Sequence, residues 1–198
     1  AIVDPIFTYK IPYEVTMETG FDVLAHAIES YVSKKASDFS RLLSEEAIRM
    51  VSEALPTLAS DLGNKKARAQ MSYASMLMGI NLGNVGTALP HRMQYPIGAH
   101  TDTSHGAGLL ALYPAWLKHE YGYAKDLLDR VMLLLMKETC KSEMDCQRIF
   151  EQFLQVVQIR KNLQQLGIKK EQFSLLASEV TGNILNDPAA AEAKIIEK

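Results

Sequence analysis

"TGFDVLAHAIESYVS", residues 19–33, decides the fold class because its apolar residues surround the helix axis instead of lining one side of it. At about 100° per residue, Asp22, His26 and Glu29 (i, i+4, i+7) fall on one strip about 60° wide. Phe21, Val23, Leu24, Ala25, Ala27, Ile28, Tyr31 and Val32 cover the remainder, so the segment reads as a helix buried on nearly every side. A carboxylate and an imidazole buried without partners cost several kcal/mol, so the strip requires a metal, a counter-charge or a hydrogen-bond network. Asp22 and His26, stacked one turn apart, can reach the same ion. The helix is expected over 17–33, with Thr16 or Thr19 capping its start and Ser33 and Lys34 near its end.

Outward from this segment the helical period continues. Leu42, Leu43, Ile48, Val51 and Leu55 recur on one face of 37–62, where Pro56 is expected to kink or divide the helix. Met71, Ala74, Met78 and Leu82 mark a helix over 65–82, and further helices are expected at about 105–121, 124–139, 143–164 and 170–185. The Gly- and Pro-rich "GNVGTALPHRMQYPIG" (83–98) reads as turns and loop. Only "AIVDPIFTYKIP" (1–12) looks extended, and its prolines keep it out of any central strand. The tail "NDPAAAEAKIIEK" (186–198) reads as a loosely docked helix or a frayed end. The fold class is therefore all-α, a helical bundle-like domain with a short extended N-terminal segment.

The 198 residues suffice for one domain with a substantial core, and 47% hydrophobic with 22% charged residues is ordinary for a globular chain. A net charge of −2 gives no basic field for a phosphate backbone, which argues against nucleic acid as a partner. No apolar run reaches the length of about 18 residues that a membrane span needs, and the N-terminus has no signal-like apolar core, so a cytoplasmic protein is expected. Cys140 and Cys146 fit neither a disulfide framework nor a zinc knuckle, and are expected to be reduced thiols.

A second stretch, "LPHRMQYPIGAHTDTSHG" (89–106), holds three of the five histidines. By spacing, His91 and His105 can complete a set of one carboxylate and three imidazoles with Asp22 and His26. Taken together, "TGFDVLAHAIESYVS" and "HRMQYPIGAHTDTSHGAGLLALYPAW" (91–116) closely resemble the two signature regions of the iron-containing (group III) alcohol dehydrogenases. Gly20, Asp22, His26, Ala27, Glu29 and Tyr31 match the first pattern, G-x-D-A-x-x-H-A-x-E-x-Y. His91, Met93, Pro96, Gly98, His105 and Gly106 match the second.

The resemblance implies a fold of the dehydroquinate synthase-like, iron alcohol dehydrogenase type and assigns Asp22, His26, His91 and His105 as the metal site. It implies Fe(II), with Zn(II) or another divalent ion as substitute, a small alcohol or aldehyde as substrate, and NAD(P) as coenzyme. Dimerisation is common in the family, so a homodimer is among the assemblies implied. Residues 1–198 are then expected to be the C-terminal helical metal-binding domain. No Gly-rich phosphate loop and no strand-helix alternation occur, so the N-terminal dinucleotide-binding domain is expected to be absent from this chain, leaving it inactive alone and no residue assigned to the coenzyme.

Where the family usually has a second histidine that relays the alcohol proton, this chain has Tyr95. A phenol titrates near 10 and shuttles poorly at neutral pH, so Tyr95 and His100 are both candidates for the relay. His119 is expected at the surface with no role. The alternative to a dehydrogenase is a stand-alone helical interaction module that kept the fold but not catalysis. A metal-dependent hydrolase is disfavoured because His26-x-x-Glu29 matches neither H-E-x-x-H nor the paired E-x-x-H of di-iron bundles.

Overall fold

The helices follow in chain order as α1 (Tyr13–Val32), α2 (Asp38–Ser60), α3 (Lys65–Asn84), α4 (Leu89–Thr101), α5 (His105–Met136), α6 (Glu143–Val156) and the short α7 (Phe173–Ser178). The computed structural model describes residues 2–191, and no strand occurs among them. Local side chains set most of the starts. The Ser40 amide donates to Ser37 Oγ at 3.2 Å and the Ser37 amide to Ser40 Oγ at 2.9 Å, a reciprocal cap for α2. Asn64, Ser104 and Ser142 accept from the third amide of α3, α5 and α6 in the same way.

α1 starts earlier than its apolar pattern suggests, directly after Pro12. Thr16 and Thr19 therefore lie inside the helix, where their hydroxyls donate back to Ile11 O and Val15 O instead of capping it. α1 is the central element: it packs on α2, α3 and α5, and Met17, Phe21, Leu24 and Ile28 are fully buried. Phe21 meets the ring of Tyr113 edge-on at 5.2 Å, and Tyr113 stacks on Phe150 at 5.5 Å. Each such side chain withdrawn from water stabilises the fold by about 1.5–3 kcal/mol. The buried Tyr113 hydroxyl donates to Ala25 O at 2.9 Å, so the core carries no unmet phenol.

Several expectations are corrected. The segment around Pro5 is not extended: Asp4 Oδ1 accepts the Ile6 amide at 3.0 Å and Pro5–Thr8 forms a 3₁₀ turn, as an Asp-Pro pair favours. α2 runs through Pro56 undivided. The expected helices at 105–121 and 124–139 are by contrast both found: they follow one another within α5, which kinks between them at Ala124 (φ −134°, ψ 35°). The helix expected to reach 164 stops at Val156, just before Gln158 takes a positive φ of 53°. The helix expected at 170–185 shrinks to a 3₁₀ turn at Lys170–Gln172 followed by α7.

The largest correction is α4, expected as loop. Pro90 sits in its first turn, where the missing N–H costs nothing. His91, Gln94 and Ile97 are buried on its inner side, and that packing carries the helix through Pro96. No side chain of its own caps α4. Instead the Ala88 amide donates to Glu29 Oε2 at 2.6 Å and the Leu89 amide to Asp187 Oδ2 at 3.2 Å.

Asp187 belongs to the start of the tail, where residues 186–189 are anchored. Asn186 Nδ2 donates to Val85 O and Thr87 O, the Lys34 amide donates to Asn186 O, and Trp116 Nε1 donates to Asp187 Oδ2 at 3.0 Å. The Ala189 amide donates to Glu120 Oε1 at 3.1 Å. The expected helical character of the tail beyond residue 191 lies outside the described residues. Both cysteines are buried and free, in agreement with the sequence reading. No described helix is long and apolar enough to cross a membrane.

Candidate metal centre

Three elements deliver the four predicted ligands: α1 carries Asp22 and His26 one turn apart, α4 presents His91 from its first turn, and α5 opens with His105. All four come together. Asp22 Oδ1 lies 3.3 Å from His91 Nε2, 3.6 Å from His26 Nε2 and 3.6 Å from His105 Nε2. His26 Nε2 and His91 Nε2 face each other at 3.2 Å, a gap that holds at most one proton. Asp22, His26 and His91 bring ligand atoms within 4.8 Å of one another. His105 stands at the open edge, its ring centre 5.2 Å from that of His91 and its side chain 37% exposed.

Buried groups behind the ligands fix their orientation. Glu29, fully buried, accepts from His91 Nδ1 at 2.7 Å through Oε1, which turns His91 Nε2 toward Asp22. Its other oxygen holds the Ala88 amide, so a single carboxylate sets both the start of α4 and the ring it carries. Gln94, also buried, accepts from His105 Nδ1 at 2.5 Å and sets that ring in the same way. Gly106 lets α5 approach α1 here, since a β-carbon on it would stand 2.6 Å from Glu18 O. A cavity of about 190 Å³ bordered by Val15, Glu18, Thr19 and Ser104 opens onto Asp22 and His105.

The electrostatics are those of coupled groups. Burial disfavours charge on His91, but the Glu29 and Asp22 carboxylates override it and push its pKa up to about 9. Burial, reinforced by His91, holds His26 below the ordinary imidazole value, and burial does the same for His105. Burial works against ionisation of Asp22, yet its contact with His91 and the field of the three imidazoles keep its carboxyl below the usual range. Despite those neighbours, Asp22 Oδ1 is buried without a hydrogen-bond partner. An orphaned carboxylate oxygen facing three ring nitrogens fits a divalent ion with nitrogen and oxygen ligands.

The two relay candidates separate. Tyr95, half exposed, stacks on His105 with ring centres 6.0 Å apart. His100 donates its hydrogen bond elsewhere, Nε2 meeting Glu179 Oε2 at 2.7 Å, and among the described residues no contact of it reaches the four ligands. His119 lies apart from the site, its ring 5.5 Å from that of Tyr123. Glu29 and Gln94 are the residues to which sequence reasoning gave no role. For Glu29 the signal was present, a third polar residue on the strip of an otherwise apolar helix. Gln94 offered none, because its stretch read as loop.

Known proteins resemble this chain over most of its length. The model of the Fe-containing alcohol dehydrogenase family, C-terminal, matches residues 16–198. Long-chain-alcohol dehydrogenase 1 of Geobacillus thermodenitrificans (strain NG80-2) is 33% identical over 184 residues, covering 90% of this chain and 47% of that protein. The 1,3-propanediol dehydrogenase of Citrobacter freundii is 27% identical over 203 residues, covering 99% of this chain and 52% of its own length. Among solved structures, a 1,3-propanediol oxidoreductase superposes with a TM-score of 0.89 at 26% identity, over 98% of this chain and 52% of that one. The chain thus spans about half the length of these relatives.

Proposed function

Since the chain belongs to the Fe-containing alcohol dehydrogenase family, matching its C-terminal part, we propose that it is the metal-holding helical portion of an NAD(P)-dependent dehydrogenase of small alcohols and aldehydes. The observation that carries this reading is the orphaned Asp22 Oδ1 facing three imidazole nitrogens. Asp22, His26, His91 and His105 would hold Fe(II), or Zn(II) or another divalent ion in its place. When bound, the ion supplies the positive charge that polarises an alcohol or aldehyde oxygen for hydride exchange with a nicotinamide. We assign the coenzyme contacts to the half of the relatives' length that this chain does not span.

The chain's own residues divide the remaining work. With an ion bound, Glu29 would keep the proton of His91 on Nδ1 and leave Nε2 to the ion, and Gln94 would do so for His105. Tyr95 stacks on His105 and, of the two relay candidates, is the one against the site, so the proton exit is assigned to its hydroxyl together with solvent. An interaction module would need neither the convergence of four ligating side chains nor the buried acceptors behind them.

Titration of the metal-free chain with Zn(II), and anaerobically with Fe(II), tests the reading by calorimetry and elemental analysis. One ion per chain is expected, and none in Asp22→Ala. A wild-type chain that retains no ion under metal-replete conditions overturns it.

A further inference from the structure

Two arginines, Arg68 buried and Arg92 partly so, are treated very differently. Arg68, 3% exposed, spends its donors on Leu62 O at 3.1 Å, Thr16 Oγ1 at 2.8 Å and Ile11 O at 3.0 Å, and so ties α3 to the start of α1. Arg92 has no such set. Its Nε is buried without an acceptor, its one hydrogen bond is a long 3.4 Å contact from Nη2 to Thr87 Oγ1, and it pairs with no carboxylate among the described residues. Arg49, Arg130 and Arg148 all have carboxylate partners.

Arg92 is also the residue after His91. Its guanidinium carbon lies 5.6 Å from the ring centre of Tyr95, and Tyr95 in turn stacks on His105, so cation, phenol and imidazole form a ladder leading to the four ligands. The late segment is shaped to leave the guanidinium room. Gly182 takes a φ of +94°, and a β-carbon there would stand 3.2 Å from Arg92 Nη1 and 3.3 Å from its Cδ. A buried Nε–H without an acceptor is costly in the free protein, and a planar anion that accepts it together with a second N–H of the same guanidinium removes the cost.

We infer that Arg92 is a specificity-determining residue that selects, among small alcohols and aldehydes, those carrying an anionic terminal group of the carboxylate type. The inference rests on the metal-centre reading for the position of the reacting end, but the anion contact itself does not depend on an ion being present.

The test uses the ¹⁵N-labelled 198-residue chain, with and without Zn(II), titrated with 4-hydroxybutanoate and with uncharged 1,4-butanediol while the Arg92 Nε–H resonance is followed. The hydroxy acid is expected to shift that resonance and to bind the Zn(II)-loaded chain about tenfold or more tighter than the diol. In Arg92→Gln the preference should vanish with Zn(II) stoichiometry and melting temperature unchanged, and Arg92→Lys should keep part of it. Equal affinity for acid and diol in the wild type, a preference that survives Arg92→Gln, or a resonance that moves with inorganic phosphate but not with the acid overturns the assignment. A shift by the acid in a chain that binds no Zn(II) would sink the metal reading while leaving the Arg92 contact standing. The wild-type resonance decides the matter even if a variant fails to fold.

Discussion

Glu29 and Asp187 each hold one backbone amide at the start of α4, yet the clusters behind them are of opposite kinds. Each contains a buried oxygen with no hydrogen-bond partner: Asp22 Oδ1 in the first, Glu120 Oε2 in the second. Around Asp22 Oδ1 stand three imidazole nitrogens within 3.6 Å, able to give lone pairs to a common centre. Beside Glu120 stands a second carboxylate, Asp187, fully buried like Glu120 itself. A multivalent ion relieves the first arrangement and a proton relieves the second. On the reading proposed above, what surrounds an unmet buried oxygen distinguishes a site for a metal ion from one for a proton.

Removing a ligand is the strongest way to break the first cluster. His91→Ala and His26→Ala are each expected to abolish stoichiometric Zn(II) binding, a loss beyond the roughly 10–100-fold that supporting groups contribute. Calorimetric titration checks this, and binding that persists in both variants would mean that the convergence of ring nitrogens is not a metal site. Asp187→Asn, in the second cluster, should leave ion stoichiometry intact.

Next in size is the support behind the ligands. Glu29→Gln keeps a carbonyl oxygen for His91 Nδ1 but removes the charge, and Zn(II) affinity is expected to fall by roughly 10–100-fold. Gln94→Leu removes a neutral acceptor from His105, a half-exposed ring at the edge of the set, so the expected loss is at the lower end, about tenfold or less. Equal losses in the two variants would show that charge on the acceptor is unimportant here. The ring proton resonances of His91 and His105 report the tautomers directly.

The two clusters also differ in how far the sequence reveals them. The polar strip of Asp22, His26 and Glu29 stands out because everything around it is apolar, and helix geometry alone then places the three residues side by side. His91 and His105 were identifiable by motif, although their setting was misread: α4 reads as loop from Pro90, Pro96 and Gly98, and only burial of His91, Gln94 and Ile97 makes it a helix. Nothing local announces the second cluster. Glu120 looks like an ordinary helix-surface residue and Asp187 like part of a polar tail. Their meeting depends on a contact across 67 positions that periodicity does not encode. The late segment was misjudged for the same reason, its order coming from Asn186 and Asp187 bonding to distant backbone rather than from helical pattern.

The smallest expected effect belongs to the second cluster and fixes its cation. Burial foremost, with Asp187 beside it, pushes Glu120 up to about 9 from an ordinary value of 4.5, against the opposing pull of Lys34 and the Ala189 amide. Between those two values the unfolded chain has released a proton that the folded chain keeps. Stability is therefore fullest below about pH 4.5 as far as this group is concerned, and declines as pH rises toward 9. Glu120→Gln retains an acceptor for the Ala189 amide and cannot ionise, so this part of the decline should disappear. Melting temperatures are expected to match the wild type near pH 5 and to exceed it near pH 8.5. Parallel pH profiles for the two proteins would mean that Glu120 is ionised in the folded chain, and that the orphaned oxygen of the second cluster is met by something other than a proton.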